Sequence, residues 1–233
     1  MQPRLLLISN SVNHGQGFLD HVLAEMDDFL EGVHGLVFVP FAQKDRKGYG
    51  ARVAARLVDI GIEVATLTAD ERGQRMLREA EAVFAGGGNT FRLLKTLQDA
   101  GLLPILRERA LAGMPYIGSS AGTNLACPTI RTTNDMPIVQ PVSFEAMGLV
   151  PFQINPHYID PAPGSTHMGE TREQRIKEFH EENEVPVVGI REGSWIRVEG
   201  DRATLGGANG ARIFRHDREP EERKSGAELS DLV

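Results

Sequence analysis

Met114-Pro-Tyr-Ile-Gly-Ser-Ser-Ala-Gly-Thr-Asn-Leu-Ala126 reads as a short buried strand that passes directly into a helix. Residues 115–118 supply the strand, and the small, then apolar residues after them have helical spacing. At the junction, Gly118-Ser119-Ser120-Ala121-Gly122 fits the G-x-S-x-G pattern of a nucleophile elbow. A side chain at the apex of so sharp a turn takes an unusual backbone conformation, and its flanks must lack bulk. Gly118 and Gly122 meet that need. Such a turn lifts the Ser120 hydroxyl out of the sheet and gathers the following amides, beginning with Ala121, around one point. The same five residues also suit a plain glycine-rich turn, so the rest of the chain has to decide between the two.

Outward from the elbow, strands and helices alternate. Arg4-Leu-Leu-Leu-Ile-Ser9 is a continuous apolar run, as expected of a strand buried on both faces of a parallel sheet. A polar loop spans 10–17, and 18–30 carries helical periodicity. Further strands are expected at 36–40, 63–67, 82–85 and 115–118, with helices at 49–60, 73–81, 90–100 and 103–112 between them. This alternation predicts an α/β fold: a mostly parallel sheet with helices on both faces. After the elbow, 129–148 is polar and turn-rich, 150–154 reads as a strand, and 161–164 as a loop. A helix follows at 172–182. Short strands at 186–190, 195–198, 203–205 and 211–214 suggest a short antiparallel C-terminal extension. One domain is expected over 1–215. From His216 the chain is charged and poor in apolar residues, and a frayed tail is expected over 216–233.

A length of 233 residues suits one α/β domain, and a net charge of −7 argues against nucleic acid or an anionic membrane as partner. The single cysteine, Cys127, rules out an internal disulfide and multi-cysteine metal clusters. Neither a secretory segment nor a membrane span is evident, so a cytoplasmic location is expected.

A serine nucleophile requires a base, a group that orients the base, and amides facing the developing oxyanion. Of the seven histidines, His14, His21, His34, His167, His180 and His216 read as solvated or locally bonded. His157, in Gln153-Ile-Asn-Pro-His-Tyr158, falls just after the expected 150–154 strand, at a sheet edge where site loops collect. Glu192 ends the apolar run beginning at Val187 and is the leading candidate for the orienting acid. Asp135 competes with it. Gly86-Gly87-Gly88-Asn89 follows a strand and opens a helix. It fails G-x-G-x-x-G because Phe91 holds the last glycine position, and exposed amides for an oxyanion suit it better. Thr171 and Gln174 form a capping box, which puts Arg172 at the first helical position. A cation is disfavoured there unless it receives an anion.

Taken together, Ala85-Gly-Gly-Gly-Asn-Thr-Phe91, Ile117-Gly-Ser-Ser-Ala-Gly-Thr-Asn124, residues 129–138, Asn155-Pro-His157 and residues 169–176 resemble the peptidase E family of α-aspartyl dipeptidases. The resemblance runs from the first strand to about Phe214. It implies a fold similar to class I glutamine amidotransferase domains, which is flavodoxin-like, and a serine hydrolase that cleaves dipeptides beginning with aspartate. It also implies Ser120 as nucleophile, His157 as base, Glu192 as acid, and the amides of Gly88 and Ala121 as the oxyanion hole. No metal or other cofactor is expected, and the partner is a small Asp-Xaa peptide. Oligomeric state stays open between monomer and weak dimer. Aspartate's β-carboxylate needs a cation: Arg172 is preferred, with Arg131 and Arg175 in reserve. Asp135 is the candidate for the substrate's ammonium group. A cyanophycinase-like hydrolase and a non-catalytic binding domain are the alternatives. A cysteine amidotransferase fits less well, because Cys127 lies about two helical turns beyond the elbow.

Overall fold

The computed structural model describes residues 2–161 and 169–233. His167 and most of the expected 161–164 loop lie outside the described residues. Eleven strands are found among the described residues: β1 (Arg4–Ile8), β2 (Gly35–Val39), β3 (Glu63–Thr66), β4 (Val83–Ala85), β5 (Tyr116–Ser119), β6 (Gln153–Tyr158), β7 (Val187–Arg191), β8 (Ser194–Glu199), β9 (Arg202–Gly207), β10 (Ala211–Phe214) and β11 (Glu221–Arg223). The helices are α1 (Leu23–Phe29), α2 (Arg46–Leu57), α3 (Glu71–Glu79), α4 (Thr90–Asp99), α5 (Leu103–Leu111), α6 (Ala121–Ala126) and α7 (Arg172–Glu182). No helix among the described residues is long and apolar enough to cross a membrane.

The larger sheet has seven strands in the order β3-β2-β4-β5-β1-β8-β9. Its first five are parallel, and β8 and β9 extend it antiparallel. Because side chains alternate along a strand, the apolar run of β1 serves two cores at once. Leu6 and Ile8 join Phe38, Phe84 and Ile117 beneath Val22, Met26, Val53 and Leu57. Leu5 and Leu7 join Val37, Val83 and Tyr116 beneath Leu93, Leu97, Leu106 and Leu125. Helices therefore cover both faces, as the alternation predicts.

The C-terminal strands depart from the expectation in three ways. First, they do not all extend one sheet: β6, β7, β10 and β11 form a separate four-stranded sheet in the order β11-β10-β7-β6. Second, the strand expected at 150–154 runs instead from Gln153 to Tyr158, so His157 lies within it rather than after it. Pro156 has no N–H for the ladder, and the register between β6 and β7 shifts between Asn155 and Tyr158. Third, the tail is not frayed. Its strand β11 pairs with β10, the Ala227 carbonyl accepts from the Leu205 amide, and Leu229 and Leu232 are buried. Two leucines and backbone pairing suffice to dock a segment whose composition reads as solvent-exposed. His180, read as solvated or locally bonded, is locally bonded. It is buried on α7, and its Nε2 lies 3.1 Å from the Val185 carbonyl oxygen.

Candidate functional site

The elbow forms where β5 meets α6. Ser120 has φ 52° and ψ −105°, a left-handed conformation that side-chain-bearing residues rarely adopt. The packing around it admits no bulk. A Cβ on Gly118 would sit 2.5 Å from the Gly122 carbonyl oxygen, and one on Gly122 would sit 2.0 Å from that of Ala85. The Ser120 amide donates to the Ile8 carbonyl at 3.0 Å, which ties the turn to the end of β1. These are carboxyl ends of parallel strands, where sites of open α/β sheets collect.

His157 also has a positive φ, 54°, at the β6 irregularity. Its amide leaves the ladder and donates to Ser9 Oγ at 2.9 Å, and Ser9 Oγ donates in turn to the Ile190 carbonyl at 2.9 Å. Turned outward in this way, the His157 ring lies between two partners. Nε2 is 3.0 Å from Ser120 Oγ, and Nδ1 is 2.6 Å from Glu192 Oε1. Glu192 occupies the turn between β7 and β8. Asn209 Nδ2 donates to its carbonyl at 2.7 Å, and the Gly193 amide donates to Asn10 Oδ1 at 2.7 Å. An ionised Glu192 accepts from Nδ1–H, which leaves Nε2 as the basic nitrogen facing Ser120.

The structure gives Asp135 a different neighbour from Glu192. Its Oδ2 accepts from the Thr90 amide at 2.8 Å and from Thr90 Oγ1 at 2.6 Å, at the start of α4. Gly88 precedes that helix with φ +137°, and a Cβ there would lie 2.6 Å from the Ala42 carbonyl oxygen. Neither the Gly88 nor the Ala121 amide has an acceptor among the described residues. Asn89 caps α4 through the Arg92 amide and donates to the Met136 carbonyl at 2.8 Å.

Of the three arginines, Arg172 opens α7 behind the capping box, in which both Thr171–Gln174 hydrogen bonds are made. Burial lowers its pKa, the neighbouring Arg175 charge lowers it further, and the Asp135 carboxylate opposes both. Arg175 pairs with Glu170 at 3.3 Å, and the Arg131 guanidinium sits 5.4 Å from the Phe144 ring centre. Cys127 is fully buried, and burial pushes its thiol up to about 12, so it is no nucleophile at neutral pH. Among the described residues, no group of three or more His, Cys, Asp or Glu could hold a metal ion.

Several supporting residues carried no local signal in the sequence. Ser9, Asn10 and Asn209 act on partners far away along the chain. The only available hint was that Ser9 and Asn10 follow the first buried strand, at the sheet end where sites gather. His21, expected to be solvated or locally bonded, has both ring nitrogens buried and without a partner among the described residues.

Comparison with known proteins identifies the family. A family model described as "Peptidase family S51" matches residues 5–206. A Streptomyces coelicolor protein named peptidase E is 56% identical over 229 residues, covering 98% of this chain and 94% of its own length. A Drosophila melanogaster protein named probable alpha-aspartyl dipeptidase is 47% identical over 232 residues, covering 98% of this chain and 97% of its own. Among solved structures, a peptidase from an acI-B1 actinobacterium shares the fold with a TM-score of 0.75 at 15% identity, covering 98% of this chain and 97% of that one. A putative peptidase E from Listeria monocytogenes aligns at 0.70 and 24% identity, covering 90% of this chain and 100% of that one. Matched along nearly its whole length by the family model and by these relatives, the chain belongs to peptidase family S51.

Proposed function

We propose that this chain is a serine-type dipeptidase that hydrolyses Asp-Xaa dipeptides through Ser120, His157 and Glu192. One observation carries the reading: an unbroken hydrogen-bonded run from Ser120 Oγ through both ring nitrogens of His157 to Glu192, with Ser120 at a strained turn. In the first step His157 Nε2 takes the Ser120 proton as Oγ attacks the aspartyl carbonyl. Glu192 holds the ring and favours the imidazolium that results. The Gly88 and Ala121 amides receive the oxyanion. The imidazolium then protonates the leaving amine, and the aspartyl group stays on Ser120 as an ester. Water, deprotonated by His157, releases it.

The carbonyl attacked belongs to aspartate itself, so the side-chain carboxylate must be bound close to Ser120. Arg172 suits that role. It is half-buried, and it opens a helix whose N-terminus also favours an anion. Asp135 is assigned to the substrate ammonium group. Its Oδ2 is engaged at Thr90, which leaves Oδ1 to accept. The relative named probable alpha-aspartyl dipeptidase supports the same substrate class. The test is a panel of Xaa-Leu dipeptides assayed with a chelator present, alongside Ser120→Ala. Asp-Leu should be the preferred substrate and the variant should be inactive. Activity that survives Ser120→Ala, or Asn-Leu cleaved as fast as Asp-Leu, would overturn the reading.

A further inference from the structure

His157, Glu192 and Arg172 share a feature that their own contacts do not reveal. The chain neighbour of each (Tyr158, Arg191 and Glu173) belongs to one cluster that joins the small sheet to α7. Tyr158 and Arg191 are paired across β6 and β7, with the guanidinium 5.8 Å from the ring centre. Arg191 binds Asp160 through Nε at 2.7 Å and Nη2 at 2.9 Å, and Glu222 through Nη1 at 3.0 Å and Nη2 at 2.9 Å. Arg212, opposite Gly189 of β7 and Glu222 of β11, is the member that reaches the helix. Its Nη1 donates to Glu173 Oε2 at 2.9 Å, while its Nε lies 3.4 Å from Glu222 Oε1.

Helix α7 needs this tie because of where its apolar packing begins. Its first buried apolar residue is Ile176, which packs with Tyr158, Val187 and Phe214. The turn before Ile176, which carries Arg172, is held to the small sheet by the bond from Arg212 to Glu173. Both partners of that bond are about three-quarters buried or more, with side chains 24% and 18% exposed. The guanidinium hydrogen-bonds the helix carboxylate through Nη1, while its Nε lies within ion-pair range of the Glu222 carboxylate on β11 without a hydrogen bond to it.

We propose that Arg212 is a positioning residue for specificity: through Glu173 it sets the first turn of α7, and with it the Arg172 guanidinium, at the distance that a substrate's aspartyl carboxylate requires. The inference rests on the reading that Arg172 receives that carboxylate. It also gives the C-terminal segment a purpose, because Glu222 of β11 steadies Arg212 and Arg191 together.

The test compares kcat/KM for Asp-Leu and Asn-Leu, together with Tm, in the parent, Arg212→Met, Arg172→Met and the conservative Arg212→Lys. Arg197→Met, which loses ion pairs to Glu25, Asp28 and Glu199 on a different part of the molecule, is the control. General damage lowers both substrates alike and leaves their ratio unchanged. Misplacing Arg172 lowers the ratio. Arg212→Met should reduce the Asp-Leu to Asn-Leu ratio by roughly tenfold, within the hundredfold that an ångström of misplacement can cost. Most of the change should appear in KM for Asp-Leu. Arg212→Lys, which keeps a cation for Glu173, should recover part of the ratio, and Arg197→Met should keep it. Should Arg212→Met fail to fold, Glu173→Gln removes the same bond from the helix side and is read in the same way. If the ratio is kept in Arg212→Met or Glu173→Gln but collapses in Arg172→Met, the positioning role is wrong and the reading of Arg172 stands. If it is kept in Arg172→Met, both fall.

Discussion

The strain at Ser120 gives a stability prediction that is separable from catalysis. A non-glycine residue held in a sparsely populated backbone region costs on the order of 1–3 kcal/mol. Ser120, at φ 52° and ψ −105°, is such a residue. Ser120→Ala and Ser120→Gly lose the same hydroxyl and the same bond to His157, so the difference between them isolates the Cβ. Glycine relieves the strain, and its freer unfolded chain offsets about 0.4–1 kcal/mol of that gain. The glycine variant should therefore be the more stable of the two by about 1 kcal/mol, which is roughly 2–4 °C in Tm for a chain of this length. Calorimetry on both variants, with Asp-Leu hydrolysis followed in parallel, provides the assay. Both should be inactive, with glycine melting higher. An alanine variant that melts at or above the glycine variant would refute the claim that the elbow stores strain.

Three further outcomes are expected. Glu192→Gln keeps the shape beside His157 Nδ1 but removes the charge, so kcat should fall by up to roughly four orders of magnitude, as for analogous acids. Asp135→Asn should act mainly on KM, and a parent-like kcat in Glu192→Gln would remove that residue from the mechanism. Hydrogen bonds from Arg191 hold the Asp160 carboxyl below its ordinary value of 3.8. A folded pKa below the unfolded one means that stability is gained above about pH 4 and lost as pH falls through the folded value. The Tm gap between the parent and Asp160→Asn should thus hold steady near neutrality and narrow on acidification below about pH 4. A gap that persists unchanged to about pH 3 would show that Asp160 contributes through something other than its charge.

Much of this was legible in the residues, for reasons that mark the boundary of what was not. Apolar runs such as Leu5–Ile8 announce strands, and small residues at 118 and 122 announce a tight turn, because both are local requirements. The capping box at Thr171 and Gln174 is local as well, and it is formed as expected. Sheet membership is not local. Strands 187–191 and 194–199 look alike in the sequence, yet the turn at Glu192-Gly193 sends them to different sheets. The preference for Glu192 over Asp135 rested on its place at a strand end and on the family resemblance, since each acid's partner lies dozens of residues away and no local pattern names it. Tail docking through Leu229 and Leu232 was hidden by the charged residues around them, because mean hydropathy averages away two well-placed side chains.

The division into two sheets explains why the site is framed by buried polar groups. Ser120 follows β5 of the larger sheet and His157 lies in β6 of the smaller one, with Glu192 in the turn that leads from the smaller sheet to the larger, so the distance from Oγ to Nε2 depends on how the sheets meet. Apolar packing alone holds such a seam loosely, since it is non-directional and tolerates small slides. Hydrogen bonds do not tolerate them. Ser9, fully buried at the end of β1, ties the larger sheet to the His157 amide and to the Ile190 carbonyl. One residue on, Asn10 receives the Gly193 amide. Asn124 of α6 donates to the Ile154 carbonyl in β6 at 2.8 Å, and Thr123 Oγ1 lies 2.7 Å from the Ile8 carbonyl oxygen and 2.9 Å from that of Gly118. A slide of one sheet against the other would leave several of these buried groups unpaired at once, at about 1–3 kcal/mol each. Their geometry gives the Ser120–His157 distance a stiffness that the apolar core by itself would not supply.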